Sequence, residues 1–223
     1  MNVCFDFDGP IIDVTDRYYR AYIESLKEFN PKKVQILTKE QFWGLKQNRI
    51  TDFEIGIMSN LSISESTSSA ELRRDLTFKQ EYLEQDKLFN DVFTIFDYLK
   101  TNNIYFFLVT LRRKRQLLHA INKFKIDKYV SSERLFCILD EYVFSNDIRE
   151  KYILLVNALN KLDLDPKDTY LIGDSDTDIH AGRLARYGKV IAIARGIRSK
   201  EQLDILKPDY LINNLNEITE IVK

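Results

Sequence analysis

The 223-residue chain has few cysteines, no long apolar run and no excess of charge of either sign. Its two cysteines, Cys4 and Cys137, both fall in segments with the pattern of core strands, which predicts buried thiols rather than a disulfide. Lys and Arg number 33 against 34 Asp and Glu, so nothing in the charge balance draws the chain to a nucleic acid polymer or an anionic membrane. No apolar run approaches the length of a membrane span.

The amino terminus also lacks a basic region followed by an apolar stretch, the pattern of a secretion signal. Hydrophobic residues make up 44% and charged residues 30% of the chain, which is typical of a soluble globular protein. These features together predict a cytoplasmic protein.

Two carboxylates follow the first apolar segment of the chain. Val3-Cys4-Phe5 is a short β-prone run that predicts a buried strand, and Gly9-Pro10 predicts a turn soon after it. Side chains two positions apart on a strand share a face, so Asp6 and Asp8 should lie together at the carboxyl end of this strand. Two like charges held this close need a balancing cation or proton.

A second acidic segment lies about 160 residues later in the chain. The apolar run Thr169–Ile172 predicts another strand, and residues 173–178, with the sequence GDSDTD, follow it. In open α/β sheets, ligands bind at the carboxyl ends of the strands, where both acidic segments are placed. Asp6, Asp8 and Asp174 are hard oxygen ligands of the kind that suits Mg²⁺.

The second half of the chain alternates strand and helix patterns, which predicts a mostly parallel sheet. Apolar runs predict strands over Ile104–Val109, Leu135–Leu139, Thr169–Ile172 and Val190–Ala194, and helical periodicity predicts helices near Val92–Leu99 and over Lys114–Phe124, Ile148–Leu162 and Asp178–Tyr187.

The stretch between the first strand and this alternating region contains only helical patterns. A helix should begin near Thr15, and Thr38 and Thr51 each open a capping-box pattern that predicts a short helix. The serine-rich stretch Leu61–Ser69 indicates a loop, followed by a longer helix that carries Leu72, Leu76 and Leu83. This block therefore reads as a helical insertion into the α/β core.

The runs DFDGP, residues 6–10, and GDSDTD, residues 173–178, resemble the first and fourth motifs of the haloacid dehalogenase-like phosphohydrolases. The resemblance implies an α/β, Rossmann-like core with a parallel sheet and an inserted all-helical cap domain. We expect the core to comprise residues 1–13 and 90–223 and the cap to comprise residues 14–89.

The resemblance also implies a role for each carboxylate. Asp6 matches the nucleophile, which forms an aspartyl-phosphate that water then hydrolyses. Asp8 matches the acid that protonates the leaving alcohol, and its backbone carbonyl matches a Mg²⁺ ligand. Asp174 matches the third metal ligand. Asp178 matches a carboxylate that ligates or braces the metal, and its competitor Asp176 is expected to cap the following helix instead.

The second and third motifs of the family are matched less specifically. Thr110 ends a predicted strand, where its hydroxyl and the backbone near Gly9 would contact the phosphate. Lys151 fits the lone lysine that pairs with the nucleophile and the phosphate, although Arg149 remains a rival. Many relatives have Asn after the Thr, whereas this chain has Leu111 and then Arg112, whose role is left open.

The function implied is a Mg²⁺-dependent phosphatase acting on a small phosphomonoester, with Asp8 arguing against a true dehalogenase. A phosphomutase of the same fold and a non-catalytic protein that binds a phosphate ligand or a protein are the alternatives. The segment Trp43–Lys46 and Arg49 are cap residues that could reach the leaving group, and Arg73 is expected on a solvated helix face with Arg74 and Lys79.

Overall fold

The computed structural model describes residues 1–141 and 146–222. The chain divides into two compact units. Residues Met1–Ile12 and Leu88–Lys223 form one, which we call the sheet unit, and Asp13–Lys87 form the other, which we call the helical unit.

The strands are β1 Asn2–Phe5, β2 Ile12–Asp13, β3 Lys87–Leu88, β4 Tyr105–Arg113, β5 Leu135–Ile138, β6 Thr169–Gly173, β7 Lys189–Ile193 and β8 Tyr210–Ile212. Within the described residues, one parallel sheet has six strands in the order β5-β4-β1-β6-β7-β8. The short strands β2 and β3 pair where the chain passes from one unit to the other. The predicted α/β fold with a parallel sheet is confirmed.

The helices are α1 Thr15–Leu26, α2 Lys39–Gln47, α3 Asp52–Met58, α4 Ile63–Thr77, α5 Gln80–Leu83, α6 Val92–Thr101, α7 Lys114–Lys123, α8 Asp147–Leu162, α9 Asp176–Leu184, α10 Lys200–Asp204 and α11 Ile218–Ile221. The first five belong to the helical unit and the rest to the sheet unit. The strands and helices predicted for the second half of the chain are all present, with ends shifted by a few residues.

Strand β1 is central in the sheet and places the first acidic segment. Val3, Cys4 and Phe5 have no exposed surface, which explains the continuous apolar run in place of alternation. Phe5 lies opposite Leu108 of β4 on one side and Ile172 of β6 on the other. The chain runs outward from β1 through β4 and β5 and then crosses to β6, so the carboxyl end of β1 lies at the switch in strand order.

Both capping boxes predicted for the helical unit are present, at Thr38 with Gln41 and at Thr51 with Glu54. The loop predicted over Leu61–Ser69 is wrong. Ser62 and Glu65 form a third capping box, and α4 begins immediately after Ser62. Serine favours caps and loops alike, and here its hydroxyl accepts the N–H of Glu65 and starts the helix.

The solvated position expected for Arg73 is also wrong. Arg73 is 8% exposed, and its guanidinium pairs with Asp52 and lies 5.4 Å from the ring centroid of Tyr18. Lys46 pairs with the same carboxylate at 2.8 Å. The charge of Arg73 is therefore compensated inside the helical unit, whereas Arg74 is exposed as expected.

Cys4 is buried and Cys137 is half-buried, and both are free thiols, as predicted. In the part of the chain that the structure describes, no helix is both long enough and apolar enough to cross a membrane.

Candidate active site

The first candidate residue, Asp6, follows β1 directly and is fixed by its backbone. Its N–H donates to the carbonyl of Ile172 at 2.8 Å, which continues the β1–β6 pairing by one residue. Its Oδ1 accepts the N–H of Phe7 at 2.7 Å. The carboxylate is thus oriented at the carboxyl end of the central strand, next to the end of β6.

Lys151 lies on the buried face of α8, in line with Leu155 and Ala158. Its side chain is 1% exposed, and its Nζ lies 2.8 Å from Oδ1 of Asp6 and 2.8 Å from Oδ1 of Asp178. Burial lowers the pKa of this ammonium, but the carboxylates of Asp178 and Asp6 outweigh burial and raise the pKa overall. Lys151 is therefore a buried cation held between two carboxylates.

The rival Arg149 lies on the same helix but has an exposed side chain. Its backbone N–H is bound by the side chain of Asn146, which caps α8. The helix turns Lys151 into the cluster and Arg149 toward solvent.

Asp174 follows β6 and is held between two glycines. Gly9 has a φ of +93°, and a side chain on Gly9 or on Gly196 would overlap the carboxylate of Asp174. Oδ2 of Asp174 also accepts the N–H of Ile197. The two glycines let the backbone approach this carboxylate, which is 3% exposed.

Asp6, Asp174 and Asp178 each offer an oxygen within 4.8 Å of the others. Burial and the charge of Asp178 raise the pKa of Asp6 to about 7. Burial and the neighbouring carboxylates of Asp178 and Asp6 also raise the pKa of Asp174 well above its usual range. A buried set of hard oxygen donors with uncompensated negative charge fits a Mg²⁺ ion.

Asp178 performs a second task that fixes its position. Its Oδ2 accepts the N–H of Ser175 at 3.2 Å and the hydroxyl of Ser175 at 2.6 Å. Ser175 and Asp178 form the capping box of α9, so the expectation that Asp176 caps this helix is wrong. Asp176 lies in the first turn and pairs with Arg198 at 2.7 Å.

Asp8 lies outside the three-carboxylate cluster. Its Oδ1 is 2.6 Å from Nη2 of Arg112, and its side chain is 31% exposed. Arg112 is 3% exposed as a side chain, and its guanidinium lies 5.1 Å from the ring centroid of Phe7. The partner of Asp8 is therefore a buried arginine that the motif pattern did not indicate.

The two other candidate phosphate contacts lie beside the same strand ends. Thr110 is 2% exposed, and its hydroxyl oxygen accepts the N–H of Arg112 at 3.1 Å, which leaves its O–H able to donate. The N–H of Gly9 donates to the carbonyl of Ile12 at 2.9 Å. Gly9 would have to release that bond before its N–H could bind a phosphate.

The sequence interpretation gave no role to the loop over residues 195–198. The guanidinium of Arg195 pairs with Asp91 at 2.6 Å and donates to the carbonyl of Pro10 in the turn after Asp8. Ile197 binds Asp174, as described above. The loop thus ties both acidic segments together, and the signal available in the sequence was the run of two arginines around Gly196.

Comparison with known proteins agrees with this geometry. The sequence profile of the haloacid dehalogenase-like hydrolases matches residues 3–193. The chain is 21% identical to a phosphorylated carbohydrates phosphatase of Thermotoga maritima, over 97% of this chain and 98% of that protein. It is 20% identical to the pyrophosphatase PpaX of Bacillus mycoides, over 99% of this chain and 95% of that protein.

The fold is also found in a haloacid dehalogenase-like family hydrolase of Streptococcus pneumoniae. The TM-score is 0.74 at 18% sequence identity, and the match covers 100% of this chain and 98% of that one. The match of the family profile spans both acidic segments, the helical unit and the strands that carry Thr110 and Lys151. The chain belongs to the haloacid dehalogenase-like hydrolase family.

Proposed function

We propose that this protein is a Mg²⁺-dependent phosphatase that hydrolyses a small phosphorylated metabolite through an aspartyl-phosphate on Asp6. The observation that carries the proposal is the buried contact of Lys151 with Asp6 and Asp178, next to Asp174, at the carboxyl end of the central strand. This arrangement supplies a nucleophile, a cation and a set of metal ligands in one place.

In the first step, a carboxylate oxygen of Asp6 attacks the phosphorus atom and the bond from phosphorus to the leaving oxygen breaks. Asp8 gives its proton to the leaving oxygen. In the second step, water attacks the phosphorus of the aspartyl-phosphate and gives a proton to Asp8. The bond between phosphorus and Asp6 breaks, which releases orthophosphate and restores the carboxylate.

A carboxylate that attacks a phosphate dianion needs positive charge around it. Lys151 contacts Asp6 and would neutralise a phosphate oxygen as a point charge. The side chains of Asp6, Asp174 and Asp178 and the backbone carbonyl of Asp8 would hold Mg²⁺, which supplies further positive charge for the transferring group. Asp178 would also act by orienting Lys151, which it contacts.

The hydroxyl of Thr110 would donate to a phosphate oxygen, and the backbone at Gly9 is the remaining expected contact. We further propose that the helical unit is the cap, with bounds near residues 14–89, and that it selects the substrate. The names of the relatives, a phosphorylated carbohydrates phosphatase and a pyrophosphatase, support a small phosphorylated substrate. The cytoplasmic location and the absence of nucleic acid and membrane partners stay predictions.

Release of orthophosphate from p-nitrophenyl phosphate and from a panel of phosphorylated metabolites tests the proposal. We expect release by the wild-type protein with Mg²⁺, and none with a chelator or in Asp6→Asn. The exposed Asp204→Asn is the matched control and should retain full activity. Transfer of the phosphoryl group to a second hydroxyl of the substrate would instead indicate a mutase. Activity that persists in Asp6→Asn would contradict the proposal.

A further inference from the structure

Arg112 is brought into the site by an irregularity in β4. The pairing of β4 with β5 shifts register between Thr110 and Arg113. The bulged segment turns Arg112 inward, where its guanidinium lies on the ring of Phe7 and against Asp8. The side chain of an ordinary surface arginine would be solvated, whereas this one is 3% exposed.

The two buried cations of the site serve different carboxylates. Lys151 contacts Asp6 and Asp178, in the three-carboxylate cluster. Arg112 contacts Asp8, which lies outside that cluster. Under the proposed function, Asp6 faces the transferring phosphoryl group and Asp8 faces the leaving group. Arg112 is therefore the cation on the leaving-group side.

The charge balance indicates what this cation can bind. Asp6, Asp8, Asp174 and Asp178 carry four negative charges, and Lys151 and Arg112 carry two positive ones. Mg²⁺ would offset the remaining two negative charges, so the transferring phosphate would enter a neutral site. A guanidinium has five N–H donors in a planar fork, so Arg112 can keep its contact with Asp8 and bind an anionic oxygen of the substrate at the same time.

We propose that Arg112 is a specificity-determining residue that selects substrates whose leaving group carries its own negative charge, such as a phosphate or a carboxylate. This inference rests on the proposed function, because it assigns the leaving-group side of the same site. Pyrophosphate and 2-phosphoglycolate belong to the selected class. Phosphate esters of neutral alcohols and sugars do not.

The kinetic test compares 2-phosphoglycolate with 2-hydroxyethyl phosphate, which has a hydroxymethyl group in place of the carboxylate. In Arg112→Gln, we expect kcat/KM for 2-phosphoglycolate and pyrophosphate to fall about 10- to 100-fold more than for 2-hydroxyethyl phosphate, mainly through KM. Arg112→Lys keeps the charge but not the fork, so it should restore part of the preference. The exposed Arg115→Gln is the matched control and should change neither ratio.

An equal loss for all three substrates, confined to kcat, would overturn the proposal, because it would mean that Arg112 only orients Asp8. An equal rise of KM for all three would also overturn it, since the guanidinium would then bind the transferring phosphoryl group. The ratio between substrates, which general misfolding does not change, separates a specificity role from a structural one.

A binding measurement keeps the inference testable if the proposed hydrolysis fails. Calorimetry with Asp6→Asn compares imidodiphosphate with orthophosphate in the presence of Mg²⁺. We expect Asp6→Asn to bind imidodiphosphate at least about 10-fold more tightly than orthophosphate, and the added Arg112→Gln to remove that difference. Equal affinity for both anions in Asp6→Asn would overturn the role of Arg112, whatever the outcome for catalysis.

Discussion

The ammonium of Lys151 and the carboxylate of Asp6 form a buried ion pair with an Nζ to Oδ1 distance of 2.8 Å. The same ammonium contacts Asp178 at 2.8 Å, so one cation from α8 orients carboxylates that follow β1 and β6. Because Asp174 adds a third buried carboxylate nearby, Lys151 alone leaves the cluster negative and ready to bind a metal ion.

Replacing Lys151 should damage both stability and activity. In Lys151→Ala the buried carboxylates lose their only contacting ammonium among the described residues, which should destabilise the metal-free protein by about 3–5 kcal/mol. Phosphate release should fall by at least about 100-fold, because the phosphate loses its lysine. Denaturant unfolding and steady-state kinetics measure the two effects.

Arg149→Ala is the control for Lys151→Ala, since its side chain is exposed on the same helix. We expect its free energy of unfolding to stay within about 0.5 kcal/mol of wild type and its activity to be nearly unchanged. Greater loss of activity in Arg149→Ala than in Lys151→Ala would move the lysine motif to Arg149.

The stability of the metal-free protein should fall as pH rises. The pKa of Asp6 is about 7 in the folded protein against a usual 3.8, chiefly because of burial and the charge of Asp178. A carboxyl group with a raised folded-state pKa favours folding most below its unfolded pKa, and this contribution is lost as pH rises through the folded pKa. The loss should therefore occur between about pH 4 and pH 7.

Unfolding in denaturant at pH 5 and pH 8, with and without Mg²⁺, measures this effect. Because Mg²⁺ binds the ionised carboxylates, we expect it to stabilise the protein more at pH 8 than at pH 5. Asp174→Asn removes one of the cluster's carboxylates and should make the difference smaller. Equal stabilisation by Mg²⁺ at both pH values in the wild type would show that the carboxylate cluster does not hold the metal.

A methyl group at Gly196 should weaken metal binding. The Cβ of Gly196→Ala would overlap the carboxylate of Asp174, so either this carboxylate or the loop over residues 195–198 must move. We expect the Kd for Mg²⁺, measured by calorimetry, to rise by about 10-fold or more. Unchanged Mg²⁺ affinity would mean that Asp174 is not held for the metal.

Gly44→Ala is the control for Gly196→Ala. Gly44 lies inside α2, and a Cβ there would meet no atom within 4 Å. This variant should keep the Mg²⁺ affinity and gain about 0.5–1 kcal/mol of stability, because alanine is the better helix former.

The cap at Ser62 should contribute measurably to the helical unit. Ser62→Ala removes the side chain that accepts the N–H of Glu65 and should cost about 1 kcal/mol. Ser68→Ala changes an exposed serine inside the same helix and should be neutral or slightly stabilising. Denaturant unfolding of both variants distinguishes them. Equal effects would indicate that the capping box does not stabilise α4.

Much of the sheet and its helices could be predicted from the sequence, because buried parallel strands are continuous apolar runs. Thr169–Ile172 and Ile104–Val109 are examples, and both are strands in the structure. The expectation that the two acidic segments meet followed from the rule that carboxyl ends share one edge of a sheet. The roles expected for their residues stay predictions.

The errors come from contacts between residues that are distant in the sequence, or from residues with two local preferences. Arg73 is buried because Asp52, 21 positions away, compensates its charge. Arg112 and Arg195 find Asp8 and Asp91 at separations that no periodicity reveals. Ser62 had a readable capping-box pattern, but serine is as common in loops as at helix starts.

The most direct test of the central claim is whether Asp6 becomes phosphorylated during turnover. The protein would be mixed with substrate and Mg²⁺, quenched in acid within one turnover, and its peptides measured by mass spectrometry. We expect the peptide with Asp6 to gain the mass of one phosphoryl group, to accumulate it in Asp8→Asn, and to lack it without Mg²⁺. Rapid phosphate release with no label on Asp6 in either protein would contradict phosphoryl transfer through this residue.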